Sequence, residues 1–316
     1  MQDRFKTPKG WQEAVFTNKR GADIRYGFVC PPNAKAHISI SPGLSECCEK
    51  YFEVIGYLTS KGYAVSVHDW MGQGLSSRHI KGEYFKRHIT TFEDDVDDYL
   101  ELLKNYIHPL LSKQYASDIP TIILSHSMGG HLAFKSVLRK PDLAEGLFMC
   151  APLMQVRALS YVPEKLAAKM VGFISKFYST AYVPGGSDWS TREPYGKTIF
   201  THDPQRDAIY DEWCEINPKL KIGDPTIGWL NEAAQSCYRL KKEDVSNIKI
   251  PVHAVLASRD LLVRNRRTRS IINKIPSATH QTMHGAYHEI MMEVDEIRDA
   301  FFNSFEAFAA RVLKTQ

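Results

Sequence analysis

The segment TIILSHSMGG, residues 121–130, changes character within a few positions. Its first residues are β-branched or apolar, which predicts a buried strand. Gly129 and Gly130, followed by HLAFKSVLRK, predict a tight bend that opens into a helix. A strand that turns sharply into a helix is the setting in which a reactive serine is exposed at the edge of a sheet. This segment constrains the fold more than any other part of the chain.

The bend is a variant of the motif G-x-S-x-G, in which small residues on either side of a serine allow a strained turn. Here the motif reads Ser125-His126-Ser127-Met128-Gly129, with serine in place of the first glycine. We interpret Ser127 as the candidate nucleophile. Ser125 is interpreted as the small residue of the turn, with its side chain pointing away from the site.

Composition limits the class of protein. A chain of 316 residues, 43% of them hydrophobic, is long enough for one large α/β domain with an insertion, or for two domains. Its net charge of +4 is mild and lacks the concentrated basic blocks of a nucleic-acid binder. The N-terminus has no signal-like apolar region, and no apolar run approaches the roughly 20 residues that span a bilayer. We therefore expect a cytoplasmic protein.

The cysteines show neither the paired spacing of a zinc site nor the density of a disulfide scaffold. No pattern that would activate a thiol surrounds Cys47 or Cys48, so all are expected to be reduced and mostly structural. No metal and no cofactor are predicted. The cysteines are Cys30, Cys47, Cys48, Cys150, Cys214 and Cys237.

Strand-like and helix-like segments alternate along most of the chain, as in β-α-β units with a parallel sheet. The predicted strands cover residues 37–43, 62–69, 121–124, 145–153 and 248–260. The predicted helices cover residues 50–62, 92–111, 131–140, 267–275 and about 294–313. The fold class predicted from this order is α/β, with a mostly parallel central sheet and helices on both faces.

The alternation stops after about the sixth strand and resumes near residue 232. We predict a core in two parts, residues 1–154 and 232–316, with a cap inserted as residues 155–231. Within the cap, YVPEKLAAKMVGFISKFYS carries apolar side chains at helical spacing. These are Leu166, Met170, Ile174 and Phe177.

Chain order supplies the partners that a nucleophilic serine needs. A serine hydroxyl requires an imidazole base, and the imidazole requires a carboxylate to orient it and stabilise its charge. Asp260 ends the predicted strand PVHAVLASRD, and His288 lies in the loop HGAYHEIMME before the last helix. Ser127, Asp260 and His288 therefore occur in the order nucleophile, acid, base, each after a strand.

Together these motifs resemble α/β-hydrolases of the lysophospholipase and monoglyceride lipase group, most closely the bacterial lysophospholipase L2 type. The resemblance covers most of the chain. It depends on SPGLSE, HDWMGQGLSSR, SHSMGG, SRD, GAYHEIMME and, within the insertion, GDPTIGWLNEA. The first two motifs are shared widely among α/β-hydrolases, so the subgroup depends on SHSMGG, SRD and GAYHEIMME.

The resemblance implies an oxyanion hole formed by the backbone N–H groups of Leu44 and Met128. It also shows two departures. Ser125 stands where these proteins usually have glycine, which leaves the turn less room. Ser41-Pro42 stands where monoglyceride lipases tend to have histidine, but Pro42 suits a bend because it fixes φ.

Several other polar residues are interpreted as structural. His126 and His131 are placed by the turn and the following helix. His68 and Asp69 point to opposite faces because they are adjacent on a strand, and the resemblance implies that Asp69 anchors the next glycine turn. His284 is a weaker candidate base than His288. Asp224, beside Pro225, is interpreted as part of a cap turn.

The insertion is expected to choose the substrate. Its apolar helix face could line a slot for an acyl chain, or could pack on the main domain. Met154, Leu166 and Met170 are the candidate substrate-binding residues. Residues 155–230 hold nine basic and nine acidic residues, so any membrane contact of the cap is expected to be apolar.

The leading hypothesis is a serine hydrolase that cleaves the carboxylic ester of a single-acyl lipid, a lysophospholipid or a monoacylglycerol. The alternatives are a short-chain carboxylesterase or aminopeptidase on the same scaffold, and a non-catalytic protein that binds a small ligand. The expected partner is a small lipid ester, with transient contact at the inner membrane surface left open and no nucleic acid. The oligomeric state is not predicted.

Overall fold

In the part of the chain that the structure describes, residues 1–190 and 198–314, eight strands form one sheet. The structure is a computed structural model. The strands are β1 (Gln12–Thr17), β2 (Asp23–Val29), β3 (Ala36–Ser41), β4 (Tyr63–His68), β5 (Thr121–His126), β6 (Gly146–Cys150), β7 (Val252–Ala257) and β8 (Ala278–Met283). Their spatial order is β1-β2-β4-β3-β5-β6-β7-β8.

Helices lie between most of the strands. They are α1 (Phe52–Ser60), α2 (Phe92–Leu102), α3 (His108–Tyr115), α4 (Ser127–Arg139), α5 (Glu164–Tyr178), α6 (Pro204–Ile216), α7 (Ile227–Leu240), α8 (Asn265–Ile272) and α9 (Asp295–Lys314). Strands β3 to β8 pair in parallel, whereas β1 with β2 and β2 with β4 are antiparallel. The predicted mostly parallel sheet is confirmed.

Apolar layers cover both faces of the sheet, which confirms the second part of the predicted fold class. On one face, buried side chains of α2, α4, α7 and α8 pack in a single cluster. On the other face, α1 and α9 pack around Phe148 of β6. The Phe148 ring lies 5.4 Å from the Phe301 ring and 5.3 Å from each of the rings of Phe305 and Phe308. A sheet buried on both faces explains the nearly unbroken apolar strands of its centre.

Three strands were missed by the sequence analysis. The hairpin of β1 and β2 begins the sheet, and its turn is held by Asn18, whose side-chain oxygen accepts from the Arg20 and Ala22 N–H groups. Strand β8 is only half-buried. These three edge or near-edge strands carry polar residues, so they lack the continuous apolar run that identified the central strands.

The predicted helix over residues 92–111 is divided. Helix α2 is followed by a π-helical turn, Leu103–Ile107, and then by α3. Pro109 at the start of α3 has no N–H to continue the regular ladder. A wider turn before it lets the chain keep its direction, although the sequence periodicity is that of one helix.

The polypeptide between β6 and β7 contains α5, α6 and α7. Of the predicted insertion, residues 155–231, the segment 191–197 lies outside the described part. The predicted boundary between residues 231 and 232 lies inside α7, so the second part of the core does not begin at a break between elements. The division of the chain into core and cap remains a prediction.

The apolar face of α5 does not pack on the main domain. Helix α5 contacts α7 through the side of Ala167, Ala168 and Val171, which are buried. Leu166, Met170, Ile174 and Phe177 lie on the other side and are exposed by 48%, 50%, 43% and 68%. The alternative of packing on the core is wrong for these four residues, because the small side chains of α5 provide its buried face.

Among the described residues, no helix is both long enough and apolar enough to cross a bilayer.

Gly129→Ala should destabilise the protein and reduce its activity. A Cβ at position 129 would lie 2.2 Å from the Ser41 carbonyl oxygen and 2.3 Å from the Pro42 carbonyl oxygen, so backbone must move. We expect a loss of about 2 to 3 kcal/mol in the free energy of unfolding, measured in urea.

Gly56→Ala is the matched control, because nothing lies within 4 Å of a Cβ there and the residue is inside α1. It should stabilise the protein by about 0.5 to 1 kcal/mol. Equal effects of the two substitutions would contradict the close approach at Gly129.

Candidate active site

The candidate nucleophile lies where β5 passes directly into α4. His126 is the last residue of β5, with extended backbone, and Ser127 is the first residue of α4. Ser127 has a φ of 48°, in the left-handed region that costs a non-glycine residue about 1 to 3 kcal/mol. This change from extended backbone at His126 to left-handed backbone at Ser127 places the Ser127 side chain at the carboxyl edge of the sheet, beyond the end of β5.

The two glycines after Ser127 make this turn sterically feasible. The backbone at Gly129 touches the end of β3, and a Cβ at Gly130 would lie 2.8 Å from Pro152 Cβ. The Ser41 hydroxyl donates to the Gly129 carbonyl oxygen at 3.0 Å, and the Leu153 N–H donates to the Ser127 carbonyl oxygen at 2.9 Å. Residues at or just after the ends of the strands on both sides of β5 therefore hold this turn, residues 125–129, which we call the elbow.

The three residues predicted as a triad lie in hydrogen-bonding contact. His288 Nε2 lies 2.8 Å from Ser127 Oγ, and His288 Nδ1 lies 2.7 Å from Asp260 Oδ2. All three side chains are largely buried. Because the parallel strands β5, β7 and β8 end at the same edge, the loops after them converge on one point. The arrangement can carry a proton from the serine oxygen to the imidazole.

Asp260 is fixed as a carboxylate. It lies in the loop three residues after the end of β7, and β7 is shorter than the predicted strand, which extended to residue 260. Its Oδ1 accepts from the N–H groups of Leu262 at 2.8 Å and Val263 at 2.9 Å. Burial acts to raise the pKa of Asp260, but the facing His288 and these two N–H groups outweigh it and hold the pKa below its usual value. A carboxylate in this position favours a charged imidazole beside it.

The turn that follows β3 lies against the elbow and contains Leu44. The Glu46 carboxylate accepts from the Gly43 N–H, and the Gln73 amide donates to the carbonyl oxygens of Gly43 at 2.9 Å and Glu46 at 2.7 Å. Gln73 also accepts from the Ser45 N–H. No hydrogen bond from the Leu44 N–H occurs within residues 1–190 and 198–314.

Met128 supplies the other predicted donor. It is the second residue of α4, so its N–H has no carbonyl partner within the helix. Its sulfur accepts from the Trp229 indole of α7 at 3.4 Å and from the buried Arg87 guanidinium at 3.7 Å. The assignment of Leu44 and Met128 to an oxyanion hole remains a prediction.

Four of the residues interpreted as structural have partners away from the triad contacts, whereas His126 contacts the His288 carbonyl oxygen. The Ser125 hydroxyl is fully buried and donates to the Phe148 carbonyl oxygen at 3.4 Å. His131 contacts the Ser236 hydroxyl at 2.8 Å. The Asp69 carboxylate accepts from the Leu75 N–H at 2.8 Å, in the glycine-bearing turn that it was predicted to anchor. Asp224 accepts from the Ser187 N–H at 3.0 Å, in the segment between β6 and β7.

The predicted substrate-binding residues are divided between two places. Met154 is fully buried, next to Leu153, which binds the elbow. Leu166 and Met170 lie on the exposed side of α5. Their role in lining a slot for substrate remains a prediction.

The sequence analysis missed Glu46, Gln73 and Arg87 as supports of the site. All three are at least 96% buried, and Arg87 Nε donates to Gln73 Oε1 at 2.9 Å. Glu46 and Gln73 lie within motifs that had been identified, SPGLSE and HDWMGQG, where attention went to the glycines. The available signal was a charged or amide residue within a turn that is expected to be buried, because a buried polar side chain needs hydrogen-bond partners.

Within the described ranges, no group of three or more His, Cys, Asp or Glu side chains is arranged to hold a metal ion.

Comparison with known proteins relates most of the chain to one family. The family described as serine aminopeptidase, S33, matches residues 32–295. Lysophospholipase L2 of Escherichia coli strain K12 is 25% identical over 312 residues, which cover 95% of this chain and 87% of that protein. Monoglyceride lipase of Rattus norvegicus is 23% identical over 279 residues, with coverage of 87% and 82%.

Solved structures show the same fold. A soluble variant of monoglyceride lipase from Saccharomyces cerevisiae, crystallised with a substrate analogue, superposes with a TM-score of 0.73. It is 19% identical, and the superposition covers 97% of this chain and 95% of that chain. The predicted resemblance is confirmed at the level of family and fold.

Ser125→Gly should leave reactivity nearly intact. It restores the usual small residue of the turn, and the hydrogen bond of the lost hydroxyl to the Phe148 carbonyl oxygen is long. Hydrolysis of a p-nitrophenyl ester should stay within about tenfold of the parent, or about 1.4 kcal/mol in barrier. Ser127→Ala should remove nearly all turnover, on the order of a millionfold. A Ser125→Gly protein as inactive as Ser127→Ala, with an unchanged circular dichroism spectrum, would mean that the wrong serine has been assigned.

Proposed function

The chain belongs to the serine aminopeptidase S33 family of hydrolases, and from this premise we propose that it cleaves the carboxylic ester of a single-acyl lipid. The substrate class is a lysophospholipid or a monoacylglycerol. The observation that carries the proposal is the contact of Ser127 with His288 and of His288 with Asp260. The names of the relatives, a lysophospholipase and a monoglyceride lipase, support the choice of substrate.

In the first half of the reaction, Ser127 Oγ attacks the ester carbonyl carbon and His288 Nε2 takes its proton. The carbonyl oxygen becomes an oxyanion, which accepts from the N–H groups of Leu44 and Met128. The tetrahedral intermediate then collapses: the bond to the alcohol oxygen breaks, and His288 returns the proton to the leaving alcohol. An acyl-enzyme remains on Ser127.

In the second half, a water molecule attacks the acyl carbonyl carbon and gives a proton to His288. Collapse breaks the bond to Ser127 Oγ, the proton returns to the serine, and the carboxylic acid leaves. The Asp260 carboxylate stabilises the imidazolium in both halves, which is the state that its depressed pKa favours. No cofactor enters either half.

An aminopeptidase is the second candidate, because it is the activity that the family description names. Such an enzyme needs a carboxylate to bind the free amino group of its substrate. Glu46 and Glu289, which flank the elbow and the histidine loop, both bind Lys50, at 2.9 Å and 2.6 Å. Both carboxylates already have a cationic partner, which supports an ester substrate without an amino group.

A chain-length series separates these activities. With p-nitrophenyl esters from acetate to palmitate, kcat/KM should rise towards medium and long chains, because each buried methylene contributes about 0.8 kcal/mol. A sharp optimum at acetate or butyrate would contradict the lipid-ester proposal, and faster release from an amino-acid p-nitroanilide would favour the aminopeptidase. Absence of a fluorophosphonate adduct on Ser127 in folded protein would favour a non-catalytic binding protein.

We further propose that the exposed face of α5 binds an anionic lipid surface while substrate is taken up. Leu166, Met170, Phe173 and Phe177 form an apolar stripe, in which Phe173 and Phe177 are exposed by 64% and 68%. Their rings lie 5.5 Å apart, edge to face. A helix with a wide exposed apolar side binds at the boundary of head groups and acyl chains.

The charges beside this stripe fit an anionic surface. Lys165, Lys169 and Lys176 are exposed along one border of it. The only acidic residue of α5, Glu164, binds the Arg267 guanidinium. The balance of nine basic and nine acidic residues over 155–230 therefore does not describe the local surface, where about 1 kcal/mol of attraction is expected for each lysine near anionic lipid.

Replacing Phe173 and Phe177 together by alanine should weaken sedimentation with vesicles of phosphatidylcholine and phosphatidylglycerol by about tenfold or more. Hydrolysis of a soluble p-nitrophenyl ester should be unchanged, because neither ring packs in the core. Val15→Ala is the matched control, since Val15 is 59% exposed on the edge strand β1. Vesicle binding that is equally strong in the double variant and the control would contradict this surface.

A further inference from the structure

The imidazole of His126, directly before Ser127, faces an oxygen acceptor with each ring nitrogen. Nδ1 lies 2.9 Å from Glu46 Oε1, and Nε2 lies 3.3 Å from the backbone carbonyl oxygen of His288. Neither a carboxylate nor a carbonyl oxygen can donate, and a neutral imidazole carries one N–H. Both contacts are hydrogen bonds at the same time only when the ring is doubly protonated.

Glu46 has the surroundings of a carboxylate. Its two oxygens accept from the Gly43 N–H, the Tyr51 hydroxyl and the Lys50 ammonium, in addition to His126. Burial acts to raise the pKa of Glu46, but the charges of Lys50 and His126 and the hydrogen bonds outweigh it and hold the pKa well below its usual range. Glu46 therefore supplies a negative charge to the buried side of the elbow.

We propose that His126 is an imidazolium at neutral pH and acts as a positioning residue for the catalytic base. Through Glu46, it connects the His288 loop to the turn that contains Leu44, which we call the oxyanion turn. We call the contacts of His126 with Glu46 and with the His288 carbonyl oxygen the clamp. The inference rests on the proposed function, in which His288 moves the proton and the turn holds Leu44. The contact geometry carries it: the cluster binds the Gly43 N–H at one end and the His288 carbonyl oxygen at the other.

The charged cluster holds the histidine loop at two successive residues. Lys50 binds both Glu46 and Glu289, so the loop is bound through the Glu289 carboxylate as well as through the His288 carbonyl. The oxyanion turn, the elbow and the histidine loop are thus joined behind the reacting atoms. Their alignment depends on one buried ion cluster.

The charged and titratable groups that face His126 come from three elements. Glu46 lies in the oxyanion turn, Lys50 and Tyr51 in the short helix that follows it, and His288 and Glu289 in the histidine loop. The rings of His126 and His288 lie 5.0 Å apart. When His288 takes the serine proton, two imidazolium rings are neighbours. Glu46 then balances the charge of His126 and Asp260 that of His288, which keeps proton transfer feasible.

The direction of the pH dependence follows from these contacts. Burial acts to lower the pKa of His126, but the Glu46 charge and hydrogen bond, with help from Glu289, outweigh burial and the opposing Lys50 and raise it. The contribution of the clamp to stability is therefore complete below about pH 6.5, the unfolded value. It is lost as the pH rises through the higher pKa of the folded protein, so kcat falls on the alkaline side.

Glu46→Gln tests the clamp. Glutamine keeps the size of the side chain but removes the charge that raises the pKa of His126. We expect kcat per serine titrated with fluorophosphonate to fall by about tenfold, with KM within about twofold, because misalignment affects the reacting atoms and not substrate contacts. The alkaline limb of kcat should move to lower pH by about one unit.

Glu49→Gln is the matched control. Glu49 is a buried carboxylate three residues along, bonded to Arg25 at 2.7 Å, outside the cluster around His126. The control should keep the alkaline limb of the parent. A limb that stays in place in Glu46→Gln, or moves equally in both variants, would overturn the proposal.

A spectroscopic measurement separates this inference from the proposed function. In protein labelled with ¹⁵N-histidine, at about pH 7, His126 should show two protonated ring nitrogens, with signals that disappear in His126→Gln. A neutral ring at His126 would overturn the proposal whatever the activity. An imidazolium at His126 in a parent protein without esterase activity would instead contradict the proposed function alone.

Discussion

The direct passage of β5 into α4 is the constraint on which the rest of the site depends. No loop residue separates the last strand residue, His126, from the first helix residue, Ser127, so Ser127 must adopt a positive φ of 48°. An arrangement that costs about 1 to 3 kcal/mol persists only when its surroundings determine it. Strands β3 and β6 pair on either side of β5, and the Ser41 hydroxyl and the Leu153 N–H bind the first turn of α4. The strained serine is thus held by the buried centre of the sheet.

Buried ion pairs surround this elbow, and their value lies in position more than in stability. Removing a charge from water costs several kcal/mol, and pairing repays this only with good geometry and further hydrogen bonds. Around Glu46 those conditions are met, because each carboxylate oxygen has at least two donors. Nearby, the buried Arg25 guanidinium pairs with Glu49 and Asp69. An apolar cluster of the same volume could fill the space, but it could not bind backbone groups of two separate loops at defined atoms.

The sequence predicted what is local or ordered along the chain. The elbow motif, the order of Ser127, Asp260 and His288 and the alternation of central strands all depend on residues close together or on chain order. The edge strands were missed because polar residues interrupt their pattern. The outward face of α5 could not be predicted, because helical spacing shows that one side is apolar and does not show what covers it. The cluster of Glu46, Lys50 and Glu289 was missed because Glu289 meets Lys50, which lies four residues after Glu46, only after the chain folds.

The segment between β6 and β7 interrupts the alternation of strands and helices along the chain, but hydrogen bonds join it to the polypeptide before α2. The Gly223 N–H donates to the Phe85 carbonyl oxygen at 2.7 Å, and the Thr226 N–H donates to the Arg87 carbonyl oxygen at 3.0 Å. The Arg87 side chain in turn binds Gln73, which holds the oxyanion turn. One end of this segment is therefore bonded to the backbone of Arg87, whose side chain supports the site, whereas the outer side of α5 is exposed to solvent. A region built in this way can differ in the surface that it presents while the distances around the reacting serine stay the same.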